Sequence, residues 1–313
     1  MQIRVNQWIT VAWVLLILIF TIPGFSQPQP PVNIGVVLDG PWHMNEQVLE
    51  IFESEILELT RNEFNVVFPN DKILVADWSR QGIRKALEQL LDDPQVDMVL
   101  AGGVISSQEA INFSQLPKPV LAPVILDPEL QGLSSAEGKS GIKNLSYTHS
   151  PARIIREIKY FQEIVPFKKL IIISSRVFSQ TIPQFQQNVD ALAKSLNIEI
   201  STILADTSAS SVLGEIPRGT EAVFLGTLFQ MPLSQLQLLI DGINDRKLPS
   251  FSLWGKADVE RGALAGLLPD TYLPRLARRT ALNIQRILLG EAPEDLPVAF
   301  APEGQVTYHT YRV

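Results

Sequence analysis

Five apolar runs of the chain end in residues that hydrogen-bond or carry charge: Asp39-Gly40-Pro41-Trp42, Gly102-Gly103, Ser174-Ser175-Arg176, Gly226-Thr227 and Gly255-Lys256. Ligands of open parallel sheets bind off such strand ends, so these residues suit binding rather than turnover. In Asp97–Ala110, Gly102 and Gly103 let the backbone approach a ligand closely. Ser106 or Ser107 then caps a helix whose free N–H groups face the same crevice. The candidate ligand contacts are Asp39, Trp42, Gly103, Ser106, Ser107, Ser175, Arg176, Thr227 and Lys256. Trp42, Phe178 and Phe229 offer stacking surface, and each serves equally well as a packing residue at a loop base.

Catalytic patterns are missing from the sequence. The histidines, His43, His149 and His309, lie far apart, with no pair at the spacing that puts two metal ligands on one helix face. There is no cysteine. Ser106 and Ser107 sit in Gly-Val-Ile-Ser-Ser-Gln, which lacks the strained Gly-x-Ser-x-Gly elbow of a hydrolase. Asp39, Asp127, Asp206 and Asp258 are scattered acids with nothing to separate a catalytic pair from solvated loop carboxylates. Gly132 to Ser140 comes near a phosphate-binding loop, but one residue too many separates its glycines and no convincing strand precedes it. The expectation is a protein without a metal, a cofactor or an enzymatic reaction.

Strands and helices alternate around these residues. Val32–Leu38, Phe64–Phe68, Lys72–Ala76, the run ending at Ala101 and Val120–Ile125 read as strands. Helices are expected over about 45–60 and after Ser79, where Ile83, Ala86, Leu87, Leu90 and Leu91 recur at three- and four-residue spacing. Residues 126–150 have no clear periodicity and read as an irregular crossover. The alternation then restarts: a helix capped by Ser150-Pro151, strands at 170–174, 198–204 and 221–226, and helices over 183–196 and 233–243. Two further strands are expected around a polar link at 256–258. The helix from Tyr272 to Leu289 follows, with Leu276, Ala277, Ala281 and Ile284 on one side and Gly290 as its stop. Residues 298–313 supply one or two terminal strands. Two successive series of this kind predict an α/β fold with parallel sheets flanked by helices.

At 313 residues, 46% hydrophobic and 19% charged, the composition is globular and long enough for two domains. Residues 1–26 read as a signal peptide: Arg4, an apolar run from Trp8 to Ile22, then a break at Pro23 with small residues for cleavage after Ser26. An uncleaved anchor is the alternative, since the run approaches the length of a bilayer span. Without that segment the net charge moves from −7 to −8, which argues against nucleic acid or an anionic membrane surface as partner.

The tail Gly262-Ala-Leu-Ala-Gly-Leu-Leu-Pro-Asp-Thr-Tyr272, the helix Arg275 to Gly290 and Glu291-Ala-Pro-Glu-Asp-Leu-Pro-Val298 together resemble the substrate-binding proteins of ABC transporters. The likeness covers about residues 32–300 and is to the branch that includes binders of aromatic and other amino acids. It implies the type I periplasmic binding fold, with two Rossmann-like lobes that close on a small molecule. Crossovers near 122–145, 247–252 and 293–299 would divide the chain into one lobe of 32–122 plus 252–293 and another of 145–247 plus 299–313. It also implies that Gly103-Val-Ile-Ser-Ser107 stands where the family offers backbone N–H groups to a ligand carboxylate, with Val104 and Ile105 bulkier than the family pattern. Family members continue into a further helix where this chain ends at Val313, as a truncated or split member would.

The function so implied is periplasmic capture of a small ligand of amino-acid type for an ABC permease. Contact with the membrane would come only through that permease or an uncleaved anchor. The alternative is an envelope accessory or sensor protein that keeps the bilobal fold and acts through protein contacts.

Overall fold

The computed structural model describes residues 30–133, 138–149, 153–300 and 307–308. The expected signal segment, the Ser150-Pro151 cap, His309 and part of Gly132–Ser140 lie outside the described residues. Among the described residues no helix is long and apolar enough to cross a membrane.

Two sheets organise the chain. The first is built from β1 (Pro31–Leu38), β2 (Asn65–Val67), β3 (Ile73–Val75), β4 (Met98–Ala101), β5 (Val120–Ile125) and β6 (Leu145–His149). Its order is β2-β1-β4-β5-β6, with β3 also paired to β1. The second uses β7 (Lys169–Ser175), β8 (Glu199–Ala205), β9 (Ala222–Leu225), β10 (Ser250–Ser252), β11 (Ala265–Gly266) and β12 (Thr307–Tyr308), in the order β12-β11-β10-β9-β7-β8. The β1–β4 and β7–β9 pairs are parallel, and β12 runs antiparallel to β11. The central strands are continuous apolar runs buried on both faces, as a sheet covered by helices on each side requires.

The helices follow from their periodicity. Ser79 caps α2 (Arg80–Asp92) by accepting the N–H of Gly82 at 2.9 Å, and the five apolar residues expected on one face are the five it buries. Its other end is held by Lys118, whose Nζ donates to the carbonyls of Leu90, Asp93 and Val96 at 3.3, 2.6 and 2.7 Å. Helices α1 (Asn45–Thr60) and α10 (Tyr272–Leu288) pack together over the first sheet through Phe52, Ile56, Leu276, Ala277 and Ile284. Helix α4 (Arg153–Ile164) packs on the second sheet through Phe161, whose ring lies 5.4 Å from that of Phe251.

Sheet membership departs from the expected lobe boundaries at two places. Leu145–His149 extends the first sheet beside β5, so the chain leaves that sheet after His149. Its Ser, Thr and His side chains hid a strand that is buried throughout, and one of them, Ser146, accepts a hydrogen bond from Asn283 at 3.1 Å. β10 and β11 belong to the second sheet, so the return follows Gly266 rather than residue 252. Ala299 then forms a parallel bridge with His149, and the chain passes back to β12.

Arg153 and Glu157 form an ion pair of 2.8 Å beside the first of these passages, both side chains only 2% exposed. The Arg153 guanidinium also donates to the Leu253 carbonyl at 2.7 Å and lies 5.4 Å from the ring centre of Tyr272. A single buried cation thus stands at the start of α4 and reaches the residue just after β10 and the first residue of α10.

Candidate functional site

The wall on the side of the first sheet is formed where β1 and β4 end next to each other. β1 delivers Asp39, which is 5% exposed, and β4 delivers Gly102, Gly103 and the start of α3 (Val104–Ile111). The Asp39 carboxylate accepts the backbone N–H of Ile105 at 2.8 Å and of Ser106 at 2.7 Å. It therefore occupies the anion position at the N-terminus of α3. Burial pushes its carboxyl above the ordinary range, and the two N–H bonds oppose that shift. A Cβ on Gly103 would lie 2.2 Å from the Asp39 carboxylate carbon, so glycine here is required by the close approach.

The helix starts at Val104 with Gly103 at its cap position; of the two serines only Ser106 joins the capping, from the third helical position, and Asp39 at the end of the neighbouring strand accepts the first N–H groups. Ser106 Oγ accepts the Gly103 N–H at 2.9 Å, and Ser107 Oγ donates to the Ala101 carbonyl at 2.9 Å while accepting the Val124 N–H at 3.2 Å. Both serines are completely buried, and their hydroxyls brace the turn.

Beyond Asp39 the chain turns through Gly40 and Pro41 to Trp42. A Cβ on Gly40 would fall 2.5 Å from the indole of Trp78, and Trp78 itself holds a positive φ of 63°. Its ring is fixed on the strand end by the bond from Nε1 to the Pro41 carbonyl at 3.3 Å.

Strand ends of the second sheet supply the facing wall. Phe229 follows β9 and Trp254 follows β10. The rings form a chain: Trp42 to Phe229 at 5.1 Å and Phe229 to Trp254 at 4.4 Å between centroids. The Trp254 indole Nε1 is buried and has no hydrogen-bond partner among the described residues.

Two adjoining cavities open on these rings. The larger, about 480 Å³, runs from Trp42, His43 and Gln47 to Trp254, Lys256 and Asp270. The smaller, about 110 Å³, reaches Asp39, Trp78, Gly102 and Gly103. Trp42, Phe229, Trp254, Leu268, Tyr272 and Leu273 line both. Apolar walls with a few converging polar groups are the usual make-up of a small-molecule site.

Of the residues expected to touch a ligand, Asp39, Trp42, Gly103 and Lys256 meet around these cavities. Lys256 stands at the rim, held by Asp270 at 2.6 Å and Glu260 at 3.8 Å. Ser175 caps the short helix α5 (Arg176–Thr181) by accepting the Phe178 N–H at 3.3 Å. Arg176 turns to Asp206 at 3.1 Å and to the Leu204 carbonyl at 2.8 Å. Thr227 lies 3.3 Å from Ser174, hydroxyl to hydroxyl, and lines a separate void of about 30 Å³ with Phe178. Trp78, Trp254 and Tyr272 were not among the expected contacts. Trp254 carried a usable signal, since it stands just after an apolar run and just before Gly255-Lys256.

No group of His, Asp or Glu suited to a metal ion occurs among the described residues. Asp258 accepts from Ser252 Oγ at 2.5 Å and pairs with Arg261 at 3.5 Å. Asp127 accepts the N–H groups of Leu130 and Ile154 at 2.9 and 3.0 Å. Both carboxylates are engaged in holding turns.

A family profile described as ABC transporter substrate binding protein matches residues 72–307. No curated protein sequence matches the chain. Among solved structures, an ABC domain from Streptococcus pneumoniae in complex with L-Trp superimposes with a TM-score of 0.66 at 19% identity, over 89% of this chain and 92% of the other. A conserved domain protein from Vibrio cholerae gives 0.66 at 18%, over 88% and 91%. The leucine binding protein LivK from Thermotoga maritima gives 0.59 at 11%, over 82% and 83%. The two helix-flanked parallel sheets are those of the type I periplasmic binding fold.

Proposed function

Because the chain belongs to the family of ABC transporter substrate-binding proteins, we propose that it captures a small organic solute in the cleft between its two sheets and presents it to an ABC permease. The observation that carries this reading is the aromatic chain Trp42–Phe229–Trp254, drawn from strand ends of both sheets and lining both cavities. A solute enclosed there holds the two walls together, and the permease then reads the closed arrangement.

The protein acts by binding and release, outside the cytoplasmic membrane. An amino-acid-type ligand is the starting expectation, but its carboxylate does not find free N–H groups at the start of α3, where Asp39 already accepts them. Recognition then depends on the rings and on the remaining polar groups.

Thermal-shift screening against amino acids, amines, organic acids, short peptides and sugars tests the proposal. A true ligand at a hundredfold excess over its Kd stabilises by about 2.7 kcal/mol and raises the melting temperature. A complete absence of shifts across these classes overturns the solute-binding reading.

A further inference from the structure

The smaller cavity has a one-sided charge. Among the described residues Asp39 is the only acidic or basic side chain on its wall, and burial raises the pKa of the phenol there, Tyr272. At the rim of the larger cavity, Lys256 and Arg261 are already paired with Asp270 and Asp258. His43 stands edge-on to Trp42, 5.4 Å between ring centres.

The Asp39 oxygens accept the N–H groups of Ile105 and Ser106, and the residue still lines the smaller cavity. An anion entering here meets a carboxylate and the negative faces of aromatic rings; the N–H groups at the start of α3 are taken by Asp39, which leaves the neutral Trp254 indole N–H as a donor without a counter-charge. A cation meets the same groups with the opposite sign of interaction: charge against the carboxylate and cation–π attraction to the rings.

Resting on the solute-binding reading above, we propose that the solute is an organic ammonium cation with an apolar body. Its head lies toward Asp39, and its body lies among Trp42, Phe229 and Trp254. A zwitterionic amino acid fits less well, since its carboxylate finds no unpaired lysine or arginine among the described lining residues. Burial already disfavours ionised Asp39, so an ammonium head beside it restores the charged form. Cation affinity therefore falls as the pH is lowered.

Titration calorimetry on the intact protein with 2-phenylethylamine, L-phenylalanine and 3-phenylpropionate, which share one ring and differ in the charge of the head, tests this; choline serves as a second cation. Expected are binding of at least one cation, at least tenfold tighter than the amino acid, no detectable binding of the acid, and weaker cation binding at about pH 5 than at about pH 8. A carboxylic acid that binds as tightly as the cations overturns the inference, as does a cation affinity that does not change with pH. If none of these compounds binds while another neutral or anionic solute does, the ammonium inference fails and the solute-binding reading stands. If no solute of any class binds, the solute-binding reading fails, and the inference with it. Because these measurements use the unaltered protein, they do not depend on the folding of an Asp39 variant.

Discussion

Asp39 and Ser106 stand 67 residues apart in the chain, and the carboxylate of the first accepts the backbone N–H of the second at 2.7 Å. The contact joins the end of β1 to the start of α3 and depends on the bare Cα of Gly103 beside it. Gly103→Ala places a methyl 2.2 Å from the carboxylate carbon and must displace Asp39. We expect a loss of stability of about 1–3 kcal/mol in denaturant unfolding, the usual cost of overpacking, together with weakened solute binding. Unchanged stability would show that the carboxylate can leave this position freely.

The Arg153–Glu157 pair predicts an asymmetric mutational result. Arg153→Met leaves Glu157 buried without its partner and is expected to cost about 3–5 kcal/mol. Replacing both, as Arg153→Met with Glu157→Leu, should recover most of that loss, although the Leu253 carbonyl still loses its donor. A double-mutant cycle measured by urea unfolding reads the coupling directly. Additive effects would mean that the pair contributes through packing alone.

Lys118 serves the first sheet in a similar way from a more exposed position. Its ammonium gathers the Leu90, Asp93 and Val96 carbonyls just where α2 ends and its chain turns toward β4. Lys118→Met keeps the stem and removes the donors, for an expected destabilisation of about 1–2 kcal/mol in thermal or denaturant unfolding. An unaffected midpoint would show that water satisfies those carbonyls equally well.

The buried carboxyls set a direction for stability against pH. Burial raises the folded-state pKa of Asp39, Asp127 and Asp258, with hydrogen bonds opposing it in each case. A folded state with raised values binds more protons than the unfolded chain, whose carboxyls titrate near about 4. The stabilising contribution of these groups is complete below that value and is lost as the pH rises through the raised values. Asp77, Asp93 and Glu221, held low by their hydrogen bonds, act in the opposite sense below the ordinary range. The unfolding free energy should thus increase as the pH falls from neutrality toward the ordinary carboxylate range, and a decrease over that interval would contradict the raised values.

Most of the fold was legible because apolar periodicity determines it. The face of α2, the α10 stripe and the central strands all follow from spacing that burial alone explains. Leu145–His149 escaped because its buried polar side chains are satisfied by tertiary partners that the local sequence does not show. The site was legible only as a set of strand ends. Asp39, Trp42 and Gly103 could be picked out there, but the contact that turns Asp39 onto α3 is a long-range one. The same limit applied to Ser106 and Ser107, whose hydroxyls suit ligand binding in sequence and are engaged by neighbouring backbone in the fold.

Trp42, Trp78 and Trp254 are all the tryptophans found from residue 30 onward, and every one of them lines the cleft. The protein thus carries a built-in optical reporter of its own occupancy. A solute that displaces water from these indoles should shift their ultraviolet emission to shorter wavelength, against a constant background from any Trp8 and Trp13 present. Titrating that emission gives an affinity without a label, and an emission unchanged at saturation would place the solute away from the three rings.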